Sequence, residues 1–225
     1  MIKFYSIKKS DKKIESKIIK AIKNVIKKNN FILGQEVKNF EKLFSYFCNS
    51  KYSIGCSNGT DAITLSLLAL NLPKNSEVIL PAMTYASTFY AVINAKLKPV
   101  LVDINNNDPL INIKAIEKKI NNNTKVILPV HLYGSVVDIF QLKEKIKKKK
   151  IHIIDDCSQA HGALYDNGMN VGGHGISDIS TFSLYPGKNL GAYGDAGIIT
   201  TNNINFFKKL KNLRNLGSDK KFIHT

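Results

Sequence analysis

The chain has 225 residues, of which 44% are hydrophobic, and carries a formal net charge of +16. That length can bury a sizeable core in one large domain, and that hydrophobic content argues against intrinsic disorder. The charge invites a nucleic-acid reading, which is discounted here: the 33 Lys and Arg are spread along the chain among many Ile and Asn, and no recognition motif accompanies them.

Residues 11–28 place Ile14, Ile18, Ile22 and Val25/Ile26 at helical spacing between lysines, which predicts an amphipathic helix. Phe31-Ile32-Leu33-Gly34 breaks it. A second helix follows, with Val37, Phe40, Phe44 and Phe47 on one stripe, a pattern that belongs to core or subunit packing more often than to a cofactor box. Then the period changes. Tyr52–Cys56 reads as a strand, Ser57–Asp61 as a small polar turn, and Ala62–Leu72 as an apolar helix. From there strands and helices alternate: strand 77–80, helix 85–96, strand 98–104, helix 113–120, strand 125–130, helix 138–150 and strand 151–154. The lysine run Lys147–Lys150 is expected to close the helix at 138–150, where it complements the helix dipole. Strands at 179–184 and 196–200 and a helix from 204 to about 213 complete the series. Alternation of this kind predicts an α/β fold with a mainly parallel central sheet covered on both faces. No internal repeat or linker interrupts it.

Cys48, Cys56 and Cys157 are too few and too widely spaced for a disulfide framework, and no Cys-x-x-Cys suggests zinc. Met1–Ser10 has lysines but no apolar core of a signal peptide, and no apolar run is long enough to span a bilayer. A cytoplasmic location is expected.

In an open parallel sheet, ligands bind beyond the carboxyl ends of the strands. The unusual residues of this chain fall there. Ser57-Asn58-Gly59-Thr60 opens a helix, where free backbone N–H groups and the helix dipole suit a phosphate; alone, the same residues read equally well as an ordinary N-cap. Asp155-Asp156 puts two carboxylates at a buried strand end. One of them would suit a protonated pyridine nitrogen, while metal ligation together with His161, or capping of the next turn by Asp155, are the alternatives. Tyr85 is placed to stack on a flat ring, though a core role is commoner for a lone tyrosine. His131 and His161 singly read as structural histidines, and Cys157 as a small buried residue. Lys188 sits behind Pro186-Gly187 between apolar residues, where a bent backbone aims a side chain into a pocket; a lysine so held suits Schiff-base chemistry with a carbonyl group. The end of a Walker A loop is excluded because position 182 is Phe, and no Gly-x-Gly-x-x-Gly follows the first strand.

With these residues laid out, the chain resembles the DegT/DnrJ/EryC1/StrS sugar aminotransferases, a branch of the fold type I pyridoxal-phosphate enzymes. The resemblance rests on Phe31–Gly34 with Phe40-Glu41, Gly55–Ala62, Pro81–Tyr85, Pro99–Asp103, Pro129–Gly134, Asp156–Gly162 and Ser183–Gly191, in order and at fitting intervals. It implies an α/β/α sandwich like the large domain of aspartate aminotransferase. That domain would span 1–225, with an N-terminal helical segment over 1–50 and no C-terminal small domain. It implies pyridoxal 5'-phosphate as cofactor, with Lys188 as Schiff-base lysine and proton shuttle, Asp156 on the pyridine nitrogen and Gln159 toward the phenolic oxygen. Tyr85 would stack on the ring, and Gly59, Thr60 and Ser183 would hold the phosphate. The implied reaction moves an amino group from glutamate to a nucleotide-linked keto sugar, most like a dTDP-3-keto-6-deoxyhexose, in a homodimer. A non-catalytic fragment that binds the cofactor or serves assembly is the alternative.

Overall fold

The computed structural model describes residues 12–173, 175–220 and 223–224. Residues 1–11, where a signal peptide was sought, lie outside the described residues, as does the part of the expected N-terminal segment that they form. The elements run α1 (Lys12–Lys28), α2 (Gln35–Cys48), β1 (Tyr52–Cys56), α3 (Gly59–Ala69), β2 (Glu77–Pro81), α4 (Ala86–Asn94), β3 (Lys98–Val102) and α5 (Ile113–Lys119). They continue with β4 (Thr124–Ile127), α6 (Ile139–Ile146), β5 (His152–Asp156), β6 (Ile179–Ser183), β7 (Gly197–Thr201), α7 (Ile204–Arg214), β8 (Ser218–Lys220) and β9 (Ile223–His224).

Seven strands form one sheet in the order β1-β7-β6-β5-β4-β2-β3. β7 alone runs against its neighbours, pairing antiparallel with both β1 and β6. The remaining pairs are parallel. The expected mainly parallel sheet is therefore present, and helices cover both faces. Successive residues of a strand point to opposite faces, and the two core clusters follow that alternation. Phe44, Ile127, Ile153 and Phe182 pack on one face with α2, α5 and α6. Ile54, Val126, Ile154 and Ile179 pack on the other with α3, α4 and α7. Each such side chain, fully buried, contributes roughly 1.5–3 kcal/mol.

Short polar side chains start the helices. Asn58 caps α3 by accepting from the Asp61 N–H at 2.8 Å, Asn112 caps α5, Asp138 caps α6 and Asn203 caps α7. Helix α3 begins at Gly59, ahead of the expected Ala62, because the cap is Asn58 and not the neighbouring Ser57 or Thr60. Helix α6 stops at Ile146, so Lys147–Lys150 lie past its end and do not form its last turn. The backbone turns at Lys149, whose N–H reaches the Ile146 carbonyl at 2.7 Å. Strand β4 ends at Ile127, before the expected 130, because Pro129 has no N–H to continue the ladder.

On α2 only Phe44 and Cys48 are buried, and Phe47 at the end of the aromatic stripe is half exposed. Helix α1 buries none of its side chains, and Ile14, Ile22 and Ile26 are each about half exposed. No helix among the described residues is long and apolar enough to cross a membrane.

Candidate active site

A cavity of about 630 Å³ opens at the edge where the parallel strands end. Its walls include Asn58, Gly59 and Thr60 from the start of α3, and Tyr85 and Thr88 around the start of α4. Asp156, Ser158 and Gln159 follow β5, and Ser183 and Lys188 follow β6. Asp195 enters from the start of β7, which lies on the same edge because that strand runs the other way. Every residue singled out above for cofactor chemistry, Gly59, Thr60, Tyr85, Asp156, Gln159, Ser183 and Lys188, lines this one cavity.

The start of α3 is pressed against β6. A Cβ at Gly59 would lie 2.6 Å from the Ser183 Cβ, so only glycine permits the approach. Nearby, a Cβ at Gly197 would meet the Asn58 carbonyl oxygen at 2.3 Å. The first intrahelical bond runs from Ala62 N–H to Asn58 O, and the Asn58 side chain takes the Asp61 N–H. The N–H groups of Gly59 and Thr60 lie ahead of both, at the positive end of the helix, beside the Ser183 hydroxyl.

Consecutive residues Asp155 and Asp156 leave β5 on opposite faces. Asp156 shares its face with Ile154, toward α3 and α4, and reaches the cavity. Its carboxylate is held at both oxygens: Oδ2 accepts from the Thr88 hydroxyl at 2.8 Å and Oδ1 from the Ser158 N–H at 3.1 Å. Thr88 in turn is joined to Thr84 at 2.9 Å. Sequence reasoning missed Thr88; the i, i+4 pair of threonines after a strand was the available signal. Gln159 is also fixed, because its Oε1 accepts the Tyr133 N–H at 2.7 Å. That leaves its amide NH₂ as the donor free to face the cavity. Tyr133 has a φ of 57°, a left-handed conformation unusual for tyrosine.

Tyr85 is 73% exposed and stands at the N-terminus of α4, so it is not a core tyrosine. Lys188 is half-buried on a turn closed by its own N–H to the Tyr185 carbonyl at 2.8 Å. Burial holds its amine below the ordinary lysine value of 10.5, and the Asp156 charge opposes that shift.

On the other face, Asp155 is enclosed with His131 and Ser177, and His161 packs on Phe182 at 5.3 Å between ring centroids. The pairing of the two aspartates with His161 in a metal site is thus not what the chain builds. Ligand atoms of His131, Asp155 and Cys157 do lie within 4.8 Å of one another. However, the Val137 N–H donates to His131 Nδ1 at 3.0 Å, so Nε2 carries the hydrogen and is a donor, not a ligand. Burial pushes the Cys157 thiol far up, which suits the structural role expected for it.

A separate clamp joins α2, β1 and α7. Glu41 Oε1 accepts the Gly55 N–H at 2.9 Å and the Arg214 guanidinium, which also donates to the Gly55 carbonyl at 3.1 Å. This explains the place of Glu41 among the motif residues: it sets the strand that feeds the Ser57–Asp61 turn.

The sequence pattern of the DegT/DnrJ/EryC1/StrS aminotransferase family matches residues 12–225. A dTDP-3-amino-3,6-dideoxy-alpha-D-galactopyranose transaminase of Aneurinibacillus thermoaerophilus is 42% identical over 226 residues, covering 99% of this chain and 60% of the relative. A dTDP-3-amino-3,4,6-trideoxy-alpha-D-glucose transaminase of Streptomyces venezuelae is 35% identical over 223 residues, covering 99% of this chain and 58% of the relative. Among solved structures, S. venezuelae DesV in complex with a ketimine intermediate superposes with a TM-score of 0.95 at 34% identity, covering 99% of this chain and 59% of that one. NtdA of Bacillus subtilis with bound cofactor PMP superposes with a TM-score of 0.88 at 33% identity, covering 99% and 51%. The chain thus spans roughly three-fifths of the length of the curated relatives it matches.

Proposed function

The chain belongs to the DegT/DnrJ/EryC1/StrS aminotransferase family, and on that premise we propose that it is a pyridoxal-phosphate-dependent aminotransferase acting on a nucleotide-linked keto sugar. The observation that carries this reading is the meeting of Gly59, Thr60, Tyr85, Asp156, Gln159, Ser183 and Lys188 from separate segments on one cavity. The donor set fits the cofactor. The α3 N-terminus and the Ser183 hydroxyl suit its phosphate, the Asp156 carboxylate its ring nitrogen, and the Gln159 amide its phenolic oxygen. Tyr85 offers an open aromatic face to the ring. Bound there, pyridoxal phosphate supplies an electron sink that lets the C–H bond beside an attached amine release its proton.

The chain's own part is binding, orientation and proton movement. Lys188 Nζ is the covalent anchor, and burial favours its neutral form, the form that attacks a carbonyl and takes up a proton. Thr88 and the Ser158 N–H hold Asp156 in one orientation, so the ring has one seat. Glutamate is the proposed amino donor, leaving as the matching keto acid, and the acceptor is a dTDP-3-keto-6-deoxyhexose. The names of the relatives support a dTDP-linked sugar with nitrogen at carbon 3.

We propose further that residues 1–225 act as one cofactor-binding domain and that two copies pair. The half-exposed isoleucines of α1, with Leu43 and Tyr46 of α2 at 67% and 86% exposed, give an apolar surface of the kind that interfaces cover. Light scattering should return twice the mass of one chain. A cytoplasmic setting agrees with three cysteines that are all free thiols.

The test of the reaction is direct. The purified chain mixed with pyridoxal phosphate should develop a visible absorption band. Borohydride should fix the cofactor to Lys188, as read by peptide mass, and glutamate should discharge the band. A folded chain that develops no band would falsify cofactor attachment through Lys188. Attachment without amino transfer would favour the second reading, a non-catalytic cofactor-binding or assembly piece.

A further inference from the structure

The reaction proposed above uses Asp156 but leaves its neighbour idle. Asp155 is 1% exposed, lies among His131, Ser177, Cys157 and Tyr165, and takes no part in lining the cavity. A carboxylate this deep is costly unless it is held and used. It is held. The Ser177 hydroxyl donates to Oδ2 at 2.5 Å, within the range of short bonds to a charged acceptor. His131 Nε2, which carries the hydrogen because Nδ1 takes the Val137 N–H, faces the same oxygen at 3.7 Å. The Asp155 main-chain carbonyl accepts the Thr181 hydroxyl at 2.9 Å.

The segment that carries His131 also holds the Asp156 backbone. The Asp156 N–H donates to the Pro129 carbonyl at 2.9 Å, and its carbonyl accepts the His131 N–H at 3.0 Å. His131 therefore touches both aspartates, one through its ring and the other through its backbone. The two carboxylates also act on common ground, since the charges of Asp155 and Asp156 both bear on the Cys157 thiol.

We propose that Asp155, bonded by Ser177 and faced by the His131 ring, is a positioning residue for Asp156: it locks the end of β5 from behind the sheet and adds a second negative charge behind the seat of the ring nitrogen. The inference rests on the cofactor reading for its charge half only. Its mechanical half concerns the chain alone.

The test compares the full chain with Asp155→Asn, which keeps shape and removes charge, and with Asp155→Glu, which keeps charge. In the cofactor-free protein, exchange of the Asp156 and His131 amides is followed by NMR. Asp155→Asn should speed both at least tenfold, and rates equal to those of the unaltered chain overturn the mechanical half. In the protein loaded with pyridoxal phosphate, the pH midpoint of the visible band reports the charge at the seat. The titratable groups facing Lys188 are Asp156, Asp61, Asp195, Tyr85 and Tyr185, and those facing Asp155 are His131, Cys157, Tyr165 and Asp156. All are common to the three proteins, so only position 155 differs. Loss of a negative charge behind a cationic cofactor should lower the midpoint by about one pH unit for Asp155→Asn. Asp155→Glu should restore most of it. An unmoved midpoint overturns the charge half. If Asp155→Asn does not fold, Ser177→Ala removes one donor to the carboxylate and should still speed both amides severalfold, while Asp155→Ser, which also removes the charge, should lower the midpoint. A chain that takes up no pyridoxal phosphate sinks the reading under Proposed function, while amide exchange still decides the mechanical half.

Discussion

Gly59 is the tightest point between the start of α3 and the strand that leads to Lys188. Changing it to alanine puts a Cβ 2.6 Å from the Ser183 Cβ and 3.1 Å from its Cα and Oγ. Ordinary contact begins near 3.4 Å, so the start of α3 must retreat by about 0.8 Å. Overpacking of this kind costs about 1–3 kcal/mol. Against it stands a gain of about 0.4–1 kcal/mol from replacing a glycine whose backbone any residue can adopt. The net expectation for Gly59→Ala is a loss of about 1–2 kcal/mol, read as a lower urea midpoint at unchanged slope. The same retreat carries the N–H groups of Gly59 and Thr60 away from the cavity, so affinity for pyridoxal phosphate should fall by at least tenfold. Because the clash is with one Cβ, Ser183→Gly added to Gly59→Ala should recover about 1 kcal/mol beyond the sum of the single changes. A Gly59→Ala chain as stable as the original, with undiminished cofactor affinity, would show that the close approach does not organise the turn.

Capture of pyridoxal phosphate by the cofactor-free chain should rise with pH and reach half its maximum below 10.5, because burial lowers the Lys188 amine and only the neutral amine attacks. Asp156 opposes that shift, so Asp156→Asn should move the midpoint lower still, as stopped-flow absorbance would record. Glu41→Ala leaves Arg214 with its main charged partner gone, although Gly55 still offers its carbonyl. For a pair this well enclosed the loss should be about 3 kcal/mol in a denaturant melt, toward the lower end for buried pairs, and a loss under about 1 kcal/mol would refute the clamp. Burial pushes the Cys48 and Cys56 thiols up to about 12 and raises that of Cys157 well above its ordinary value. At pH 8 a thiol reagent should therefore label all three only after unfolding, and fast native labelling would contradict their placement.

The alternation of strands and helices was legible because the central parallel strands are apolar runs and most helices start at Asn, Asp or Gly. The placement of Lys188 was legible for a local reason: Pro186-Gly187 forces a bend that a scattered lysine would lack. Helix ends were less so. Asn58, not Ser57 or Thr60, caps α3, and all three are acceptable caps by type, so the choice belongs to the packing of Gly59 on Ser183. The lysines 147–150 read as a helix end by charge alone, yet α6 ends before them. The direction of β7 was hidden, since antiparallel and parallel strands share one composition when both faces are buried. So was the division of labour between Asp155 and Asp156. Adjacent acids look like a pair in sequence, but the pleat of β5 sends them through opposite sides of the sheet.

The reversed strand has a consequence for how this scaffold is built. A lysine placed between two parallel strands would ride on a crossover with a helix of its own, and shifting that helix would shift the lysine. Here the 184–196 segment simply turns back, tied at its neck by Leu184 N–H to the Ala196 carbonyl and by Ala192 N–H to the Leu184 carbonyl, each at 2.8 Å. The Lys188 amine therefore hangs on a short, pinched loop that spans no layer of the protein. Such a loop is a replaceable cartridge: its contents can change while the sheet keeps its register, so one frame can host different chemistries at the same address.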